Sequence, residues 1–574
     1  MKSIKPFGNL FLVMLVLLVA CSRNNNQYSG VASDDILINQ IGYPVDGAKK
    51  ALIRINADEF KLQNLKGDEV FAGNTGEWKY WELSGDSVRV VDFSDFSIPG
   101  EYVLCVNDTS FSYPFKIGSR LYHDLSNAVL KSYYFARCGV DIDSIHGGAW
   151  HRKAGHPDTS VVVHISAADG YRPKGTVISS PGGWYDAGDY GKYIVNSGIT
   201  TYTLLFSTEW NKIYHESQNL NIPESNNKIP DILDETLVNL KWMLTMQDPN
   251  DGGVYHKLTT KNFVGFVLPE ETHEQRYVVQ KSTAATLDFT ATMAHSVTIL
   301  QAYGLNDLAE HAKQAAESAY KWALRNPNVL YRQPSDISTG GYGDWSLDDE
   351  WFWAAAEMYL LEGKMEYREM MQEKYKKPVM TPTWNRVQTL GVISILNSEK
   401  RNEFPDMEAD FMTHVDGLLE KEAASPYLIS LDKFAWGSNS DVANEGMLKL
   451  IAYRLTGDEK YLDSAHNDLD YLLGRNTTAY SFVTGFGSKS PMHPHQRISS
   501  ADGVEAPMPG YLAGGPNISM MADCNPDEVI RSPFPAKSYV DVECSYSTNE
   551  TAINWNAPMV CLVSGIDNLE SEQE

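Results

Sequence analysis

Hydrophobic and polar positions change their rhythm once along this 574-residue chain. Between residues 36 and 117 apolar side chains recur with a period near two, in runs at 51–55, 60–65, 88–93, 101–106 and 111–117. Asn-Ala-Asp, Lys-Gly-Asp, Ser-Gly-Asp and Pro-Gly turn signals separate the runs. Alternation of this kind marks strands with one buried face, and many short strands in succession predict a small β-sandwich. After Ile117 the period lengthens to that of a helix. Residues 231–247 open with acids and repeat Leu233, Leu237, Leu240 and Leu244 on one face. Residues 282–303 predict a second long helix stopped at Gly304, with 309–324 as its partner. The stretch 354–368 is echoed by 448–462: each is a helix, a glycine turn and a second helix with a tyrosine. Helix–Gly–helix hairpins repeated over most of the chain predict a closed α/α barrel. The expected organisation is mainly α, with a sandwich at 35–118 and a barrel at 119–568.

The N-terminal residues follow neither rhythm. Lys2 and Lys5 precede an apolar run at 10–20 that is too short to span a bilayer permanently. It ends in Leu18-Val19-Ala20-Cys21, which resembles the bacterial lipobox. Residues 1–21 are therefore expected to be a lipoprotein signal with Cys21 as the lipidated residue, and 22–34 a polar tether. Ser22, where an Asp would favour inner-membrane retention, points to the outer membrane. Lys and Arg total 48 against 74 Asp and Glu, a net charge of −26. That excess argues against nucleic acid or an anionic membrane surface as a partner, leaves the lipid as the only membrane contact, and suits a neutral substrate. The chain is expected to be a monomer. With Cys21 acylated, Cys105, Cys138, Cys524, Cys544 and Cys561 remain, with no Cys-x-x-Cys spacing among them. This is neither a disulfide scaffold nor a zinc ribbon, though Cys524 and Cys544 can pair.

Chemistry concentrates in residues 181–191, Pro-Gly-Gly-Trp-Tyr-Asp-Ala-Gly-Asp-Tyr-Gly. Asp186 and Asp189 are separated only by Ala187 and Gly188, in a backbone that its glycines turn away from helix. Trp184, Tyr185 and Tyr190 place flat rings beside them, a composition suited to a sugar. A second acidic stretch, 539–557, runs Tyr539, Asp541, Tyr546, Glu550, Ala552, Asn556 and Ala557 in the order of the C-terminal active-site signature of the family 9 glycoside hydrolases. Val483-Thr484-Gly485-Phe486-Gly487 followed by His495-Gln496-Arg497 is similar to the family's other signature, and Asp-Ala-Gly-Asp to its third mark. Asn39-Gln40-Ile41-Gly42-Tyr43 resembles the immunoglobulin-like module that precedes the catalytic domain in one branch of that family.

The resemblance implies an inverting endo-β-1,4-glucanase on a six-hairpin α/α barrel, with Asp189 as general base, Asp186 holding the water and Glu550 as general acid. Inversion places the two working carboxyls roughly 6.5–9.5 Å apart, so that a water fits between them. His495 and Arg497 would contact sugar hydroxyls. His256, Trp184, Tyr546, Tyr539 and Asp541 are further candidates for substrate contact, the last two alternatively orienting Glu550. Trp436, Tyr480 and the 477–508 loop would shape subsites. Xyloglucan, mixed-linkage β-glucan and soluble cellulose are the candidate polymers. A β-glucosidase or glucosaminidase acting from chain ends, and a non-catalytic glycan-binding lipoprotein, are the alternatives. No cofactor is required. Some relatives hold zinc through Cys and His, but Gly155 and Tyr185 stand where two ligands are wanted, so zinc is not expected and Cys138 is expected to be a buried free thiol. A structural calcium near Asp349 and Glu350 would suit the oxygen-rich loop before them.

Overall fold

A computed structural model describes residues 31–519 and 523–572. The expected signal segment, Cys21 and most of the tether lie outside the described residues.

The first domain is a two-sheet sandwich. Strands β1 (Ile36–Leu37), β2 (Gly42–Pro44), β3 (Lys50–Ile53), β4 (Glu59–Asn64), β5 (Glu69–Asn74), β6 (Lys79–Trp81), β7 (Asp86–Asp92), β8 (Gly100–Val106), β9 (Ser110–Phe111) and β10 (Phe115–Gly118) follow one another. One sheet has the order β1-β3-β7-β6 and the other β2-β10-β8-β4-β5, with β9 on β8. The alternating runs became β3, β4, β7 and β8, and the run at 111–117 is divided into β9 and β10. Hydrophobic pattern missed β5, none of whose residues is fully buried, so it has no apolar face to show. Ile36, Tyr43, Leu62, Phe93 and Phe115 fill the space between the sheets.

The Asn39–Tyr43 segment fastens the sandwich to the barrel. Asn39 Nδ2 donates to Asp470 Oδ1 at 2.8 Å and to Tyr122 Oη at 3.1 Å. Gln40 N–H donates to Leu473 O, and its side-chain amide to Ala479 O. Gly42 must be glycine: a Cβ there would lie 2.1 Å from Lys116 O on the neighbouring β10.

Twelve helices build the barrel as six inner–outer pairs: α1 (His123–Ala136), α2 (Ile194–Trp210), α3 (Asp231–Thr245), α4 (Thr283–Ala302), α5 (Asn306–Arg325), α6 (Asp348–Glu362), α7 (Met365–Lys374), α8 (Gln388–Leu396), α9 (Pro405–Ala424), α10 (Ser438–Thr456), α11 (Glu459–Leu472) and α12 (Ile553–Glu572). The even-numbered helices form the inner ring. α2 packs on α4, α4 on α6 and α6 on α8; α10 packs on α12 and α12 on α2; α9 bridges α8 to α10. Inner helices are buried nearly all round yet rich in Thr and Ser. Thr200, Thr203, Thr286 and Thr290 satisfy their hydroxyls on carbonyls four residues back, which lets polar side chains sit in the core. The echoed glycines, Gly363 and Gly457, both end their helices in the left-handed conformation.

At the barrel end from which α2 and α4 begin, a small sheet forms from β11 (Val161–Val163), β12 (Val177–Ile178), β13 (Lys192–Tyr193), β14 (Lys257–Thr259) and β15 (Tyr277–Val278), in the order β12-β11-β15-β14-β13. Cys524 and Cys544 form a disulfide, and Cys105, Cys138 and Cys561 are free and buried.

Candidate active site

The 181–191 loop runs from β12 into β13, with Gly182 and Gly183 in the left-handed region at φ 80° and 78°. It meets the C-terminal acidic segment at Gly188. There the N–H donates to Glu550 Oε1 at 3.3 Å, and the carbonyl accepts from Arg497 Nη1 at 2.5 Å. A Cβ on Gly188 would stand 2.3 Å from His495 O. Three stretches distant in sequence are thus brought to one point, and the glycine is what allows the approach.

Asp186 is 1% exposed. Asn196 Nδ2, on the first turn of α2, donates to both its oxygens at 3.0 Å, and Tyr342 Oη donates to Oδ2 at 3.0 Å. Burial and the charge of Asp189 push its pKa up to about 8. Asp189 accepts from Gly191 N–H at 2.9 Å and Tyr193 Oη at 3.0 Å, which fix its orientation. Glu550 is partly exposed; desolvation, then the charges of Asp189 and Asp186, push its pKa well above the usual carboxylate range. The two carboxyls across the site therefore differ in environment: one accepts two fixed hydrogen bonds, and the other is held as a neutral acid.

His495, Arg497, Tyr546, Tyr539 and Asp541 all gather around Glu550. His495 is held by Glu543 O on Nδ1 at 2.7 Å, between Phe266 and Tyr546. Tyr546 continues to Trp436, completing a line of rings. Arg497 spends donors on backbone, Nη1 on Gly188 O and Nε on Val264 O, with its guanidinium over Phe263 and Phe266. Tyr539 Oη donates to Asn549 Oδ1 at 2.7 Å, and Asn549 Nδ2 donates to Asp541 Oδ1 at 2.9 Å. Both bonds act on Asn549, the residue before Glu550.

Two expected sugar contacts are corrected. His256 is 0% exposed; it stacks on Tyr331 and bonds Ser282 Oγ and Gly341 O, supporting the loop that carries Tyr342. Trp184 is equally enclosed, packed on Tyr133 with Nε1–H donating to Glu235 at 2.8 Å. Sequence reasoning also missed Asn196, Tyr193 and Tyr342. Only Tyr342 had a signal, an aromatic residue set between Gly340, Gly341 and Gly343.

Asp349 and Glu350 join Asp288 and Asp344 in a cluster at the start of α6. Burial raises all four pKa values, and repulsion from neighbouring carboxylates adds to it at Asp288, Asp349 and Glu350. Both oxygens of Asp288 and one each of Asp344 and Glu350 have no hydrogen-bond partner among the described residues. As the side chains stand, no three His, Cys, Asp or Glu residues among those described are arranged to hold a metal ion. The donor set itself, carboxylate oxygens only, fits a hard cation. At Cys138 the groups bond one another instead: Cys138 Sγ donates to His156 O, and His156 shares hydrogen bonds with Tyr185 Oη and Thr272 Oγ1.

Comparison with known proteins agrees with this architecture. Residues 122–563 match the profile of glycosyl hydrolase family 9, and residues 31–110 that of the cellulase N-terminal ig-like domain. The chain is 41% identical to a xyloglucan-specific endo-β-1,4-glucanase of Bacteroides ovatus, covering 98% of each chain. It is 34% identical to endoglucanase D of Acetivibrio thermocellus, over 94% of this chain and 84% of that one. A solved family 9 structure from Bacteroides ovatus superposes with a TM-score of 0.87 at 41% identity, covering 94% of this chain and 100% of that one. With the profile spanning most of the residues and the folds superposing over nearly all of them, the chain belongs to glycosyl hydrolase family 9, in the branch with an N-terminal Ig-like domain.

Proposed function

We propose that this chain is an endo-acting β-1,4-glucanase working by inversion, with xyloglucan as its preferred polymer. The observation that carries the reading is the meeting of Glu550, held as a neutral acid, with Asp186 and Asp189 at Gly188. Glu550 protonates the departing glycosidic oxygen. Asp189 takes the proton from the attacking water, and Asp186, fixed by Asn196 and Tyr342, holds that water. His495 offers Nε2 to a sugar hydroxyl, and Tyr546 and Trp436 offer ring faces. Arg497 shapes the subsite by holding Gly188 and Val264. Xyloglucan is favoured by the activity named for the Bacteroides ovatus relative and by exposed rings that would accept a branched chain, with Trp436 44% and Phe263 48% exposed.

The chemistry needs no cofactor, and zinc is not part of it. A structural calcium ion would be held by Asp288, Asp344, Asp349 and Glu350; the unpartnered oxygens of the cluster support it, and the ion would neutralise that cluster beside the loop carrying Tyr342. Cleavage before Cys21 and acylation of that residue, with 22–34 as tether, 35–118 as sandwich and 119–568 as catalytic domain, would anchor a monomer to the outer membrane at the cell envelope.

The test is a proton-NMR time course on xyloglucan, with an unbranched β-glucan in parallel. α-Anomeric reducing ends appearing first on large oligosaccharides are expected, faster from xyloglucan. Monosaccharide alone would replace the endo reading with exo action, and β-anomers appearing first would refute inversion.

A further inference from the structure

Behind the catalytic loop, where strands β11, β13 and β15 lie in one sheet, three charges are sealed from solvent. Asp158 takes an ion pair from Lys192 Nζ at 2.7 Å and another from Arg276 Nε at 3.1 Å. The side chains are 1%, 0% and 6% exposed respectively. Enclosing such a triad is costly, and apolar packing of equal volume commonly serves stability as well. The remaining donors of the two cations show what the triad does.

Lys192 Nζ also donates to Gly182 O at 2.7 Å and Ser180 O at 3.3 Å. Arg276 Nη1 donates to Tyr190 O at 2.7 Å. Gly182 and Tyr190 are the entry and exit of the segment that carries Asp186 and Asp189. Asp158 also ties the approach to that segment through its backbone, its carbonyl accepting from Ser180 N–H at 2.8 Å. Any shift at the exit reaches the acids directly, since Gly191 N–H donates to Asp189 Oδ2 and Gly191 O accepts from Asp186 N–H.

We propose that Asp158 is a positioning residue for the hydrolysis: by pairing with Lys192 and Arg276 together it clamps both ends of the catalytic loop and sets Asp186 and Asp189 against Glu550. Asp158 touches no substrate. It acts through two cations whose remaining N–H donors reach the backbone on either side of the acids, and one anion serves both ends. Its loss therefore releases entry and exit at once.

Two variants of the full chain test this. Asp158→Asn keeps the size and one acceptor oxygen but leaves two enclosed cations without an anion. Arg276→Lys keeps a charge beside Asp158 but has no fork to bond Asp158 and Tyr190 O together. A misplacement on the order of 1 Å costs on the order of 100-fold in rate. Both variants are expected to lower kcat on xyloglucan about 10- to 100-fold, with KM within about threefold of the parent, while circular dichroism and a single cooperative melt show an intact fold. The loss is expected to be equal on an aryl cello-oligosaccharide with an activated leaving group, because water attack and not leaving-group protonation is disturbed. If Asp158→Asn does not fold, Arg276→Lys decides. Unchanged kcat in folded Arg276→Lys, or a loss that falls only on KM, overturns the proposal.

Discussion

Replacing Glu550 by Gln isolates one proton. The amide oxygen can keep the hydrogen bond from Gly188 N–H, and the backbone bond from Gly514 N–H to residue 550 O at 2.8 Å is untouched. Desolvation and the charges of Asp189 and Asp186 favour the protonated form of Glu550, and a neutral amide reproduces the charge of that form. Stability is therefore expected to change by less than about 1 kcal/mol, and KM little. What is lost is general-acid catalysis, worth about 10²–10⁴ in rate, or roughly 2.7–5.4 kcal/mol of barrier. An aryl glycoside whose phenolate leaves unaided needs no such proton, so kcat on it should fall less than about tenfold.

The pH profile supplies a second, independent sign. Glu550 must be protonated to act, so activity is lost as pH rises through its elevated pKa. In Glu550→Gln that ionisation is gone, and the alkaline limb it causes should flatten while the acidic limb stays. The assays are reducing-end release from xyloglucan and phenolate release from an aryl cello-oligosaccharide, each across pH 4–10. Equal losses on both substrates, or an alkaline limb unchanged in the variant, would refute the assignment of Glu550 as the acid.

Three further outcomes follow from named contacts. Tyr342→Phe removes a hydrogen bond that lowers the Asp186 pKa, so that pKa should climb from about 8 and the acidic limb of kcat should move to higher pH, with kcat at pH 6 falling about tenfold; a limb moving to lower pH would contradict it. Asn39→Ala strips Asp470 and Tyr122 of a shared donor at the domain junction and should cost about 3 kcal/mol in urea denaturation. Burial raises the Asp470 pKa to about 6, so its ionised form is the one strained in the fold; the bond from Asn39 aids that form, and the deficit should widen from pH 5 to pH 7. Calcium chelation should lower the melting temperature, by as much as about 2.7 kcal/mol of lost stability if the ion is held at 100 times its Kd, and Asp288→Asn should abolish the response; equal chelator effects in parent and variant would remove the calcium reading.

What could be read along the chain, and what could not, divides by how each residue gets its environment. Asp186 and Asp189 lie in a glycine-rich segment whose local backbone already signals a turn bearing acids, and Glu550 lies in a run, 539–557, whose order of residues is itself a signature, so all three are legible without any contact. The hairpins were legible because Gly363 and Gly457 end helices by a local conformational need. Asn196 and Asp288 are single polar residues on helices, indistinguishable by type from the many Thr and Ser beside them; only the closing of the ring makes one a clamp on Asp186 and the other an orphan in an acidic cluster. His256 and Trp184 failed in the opposite direction. Their sequence neighbours look like a sugar site, but exposure is a property of the packed ring, and both face inward onto Tyr331 and Tyr133. Asp158 joins these two lessons: it lies in an unremarked segment between His156 and the mouth sheet, and its two partners come from 34 and 118 residues further on. Chemistry that a motif carries locally is visible in the chain; the charges that hold the motif in place are assembled by the fold.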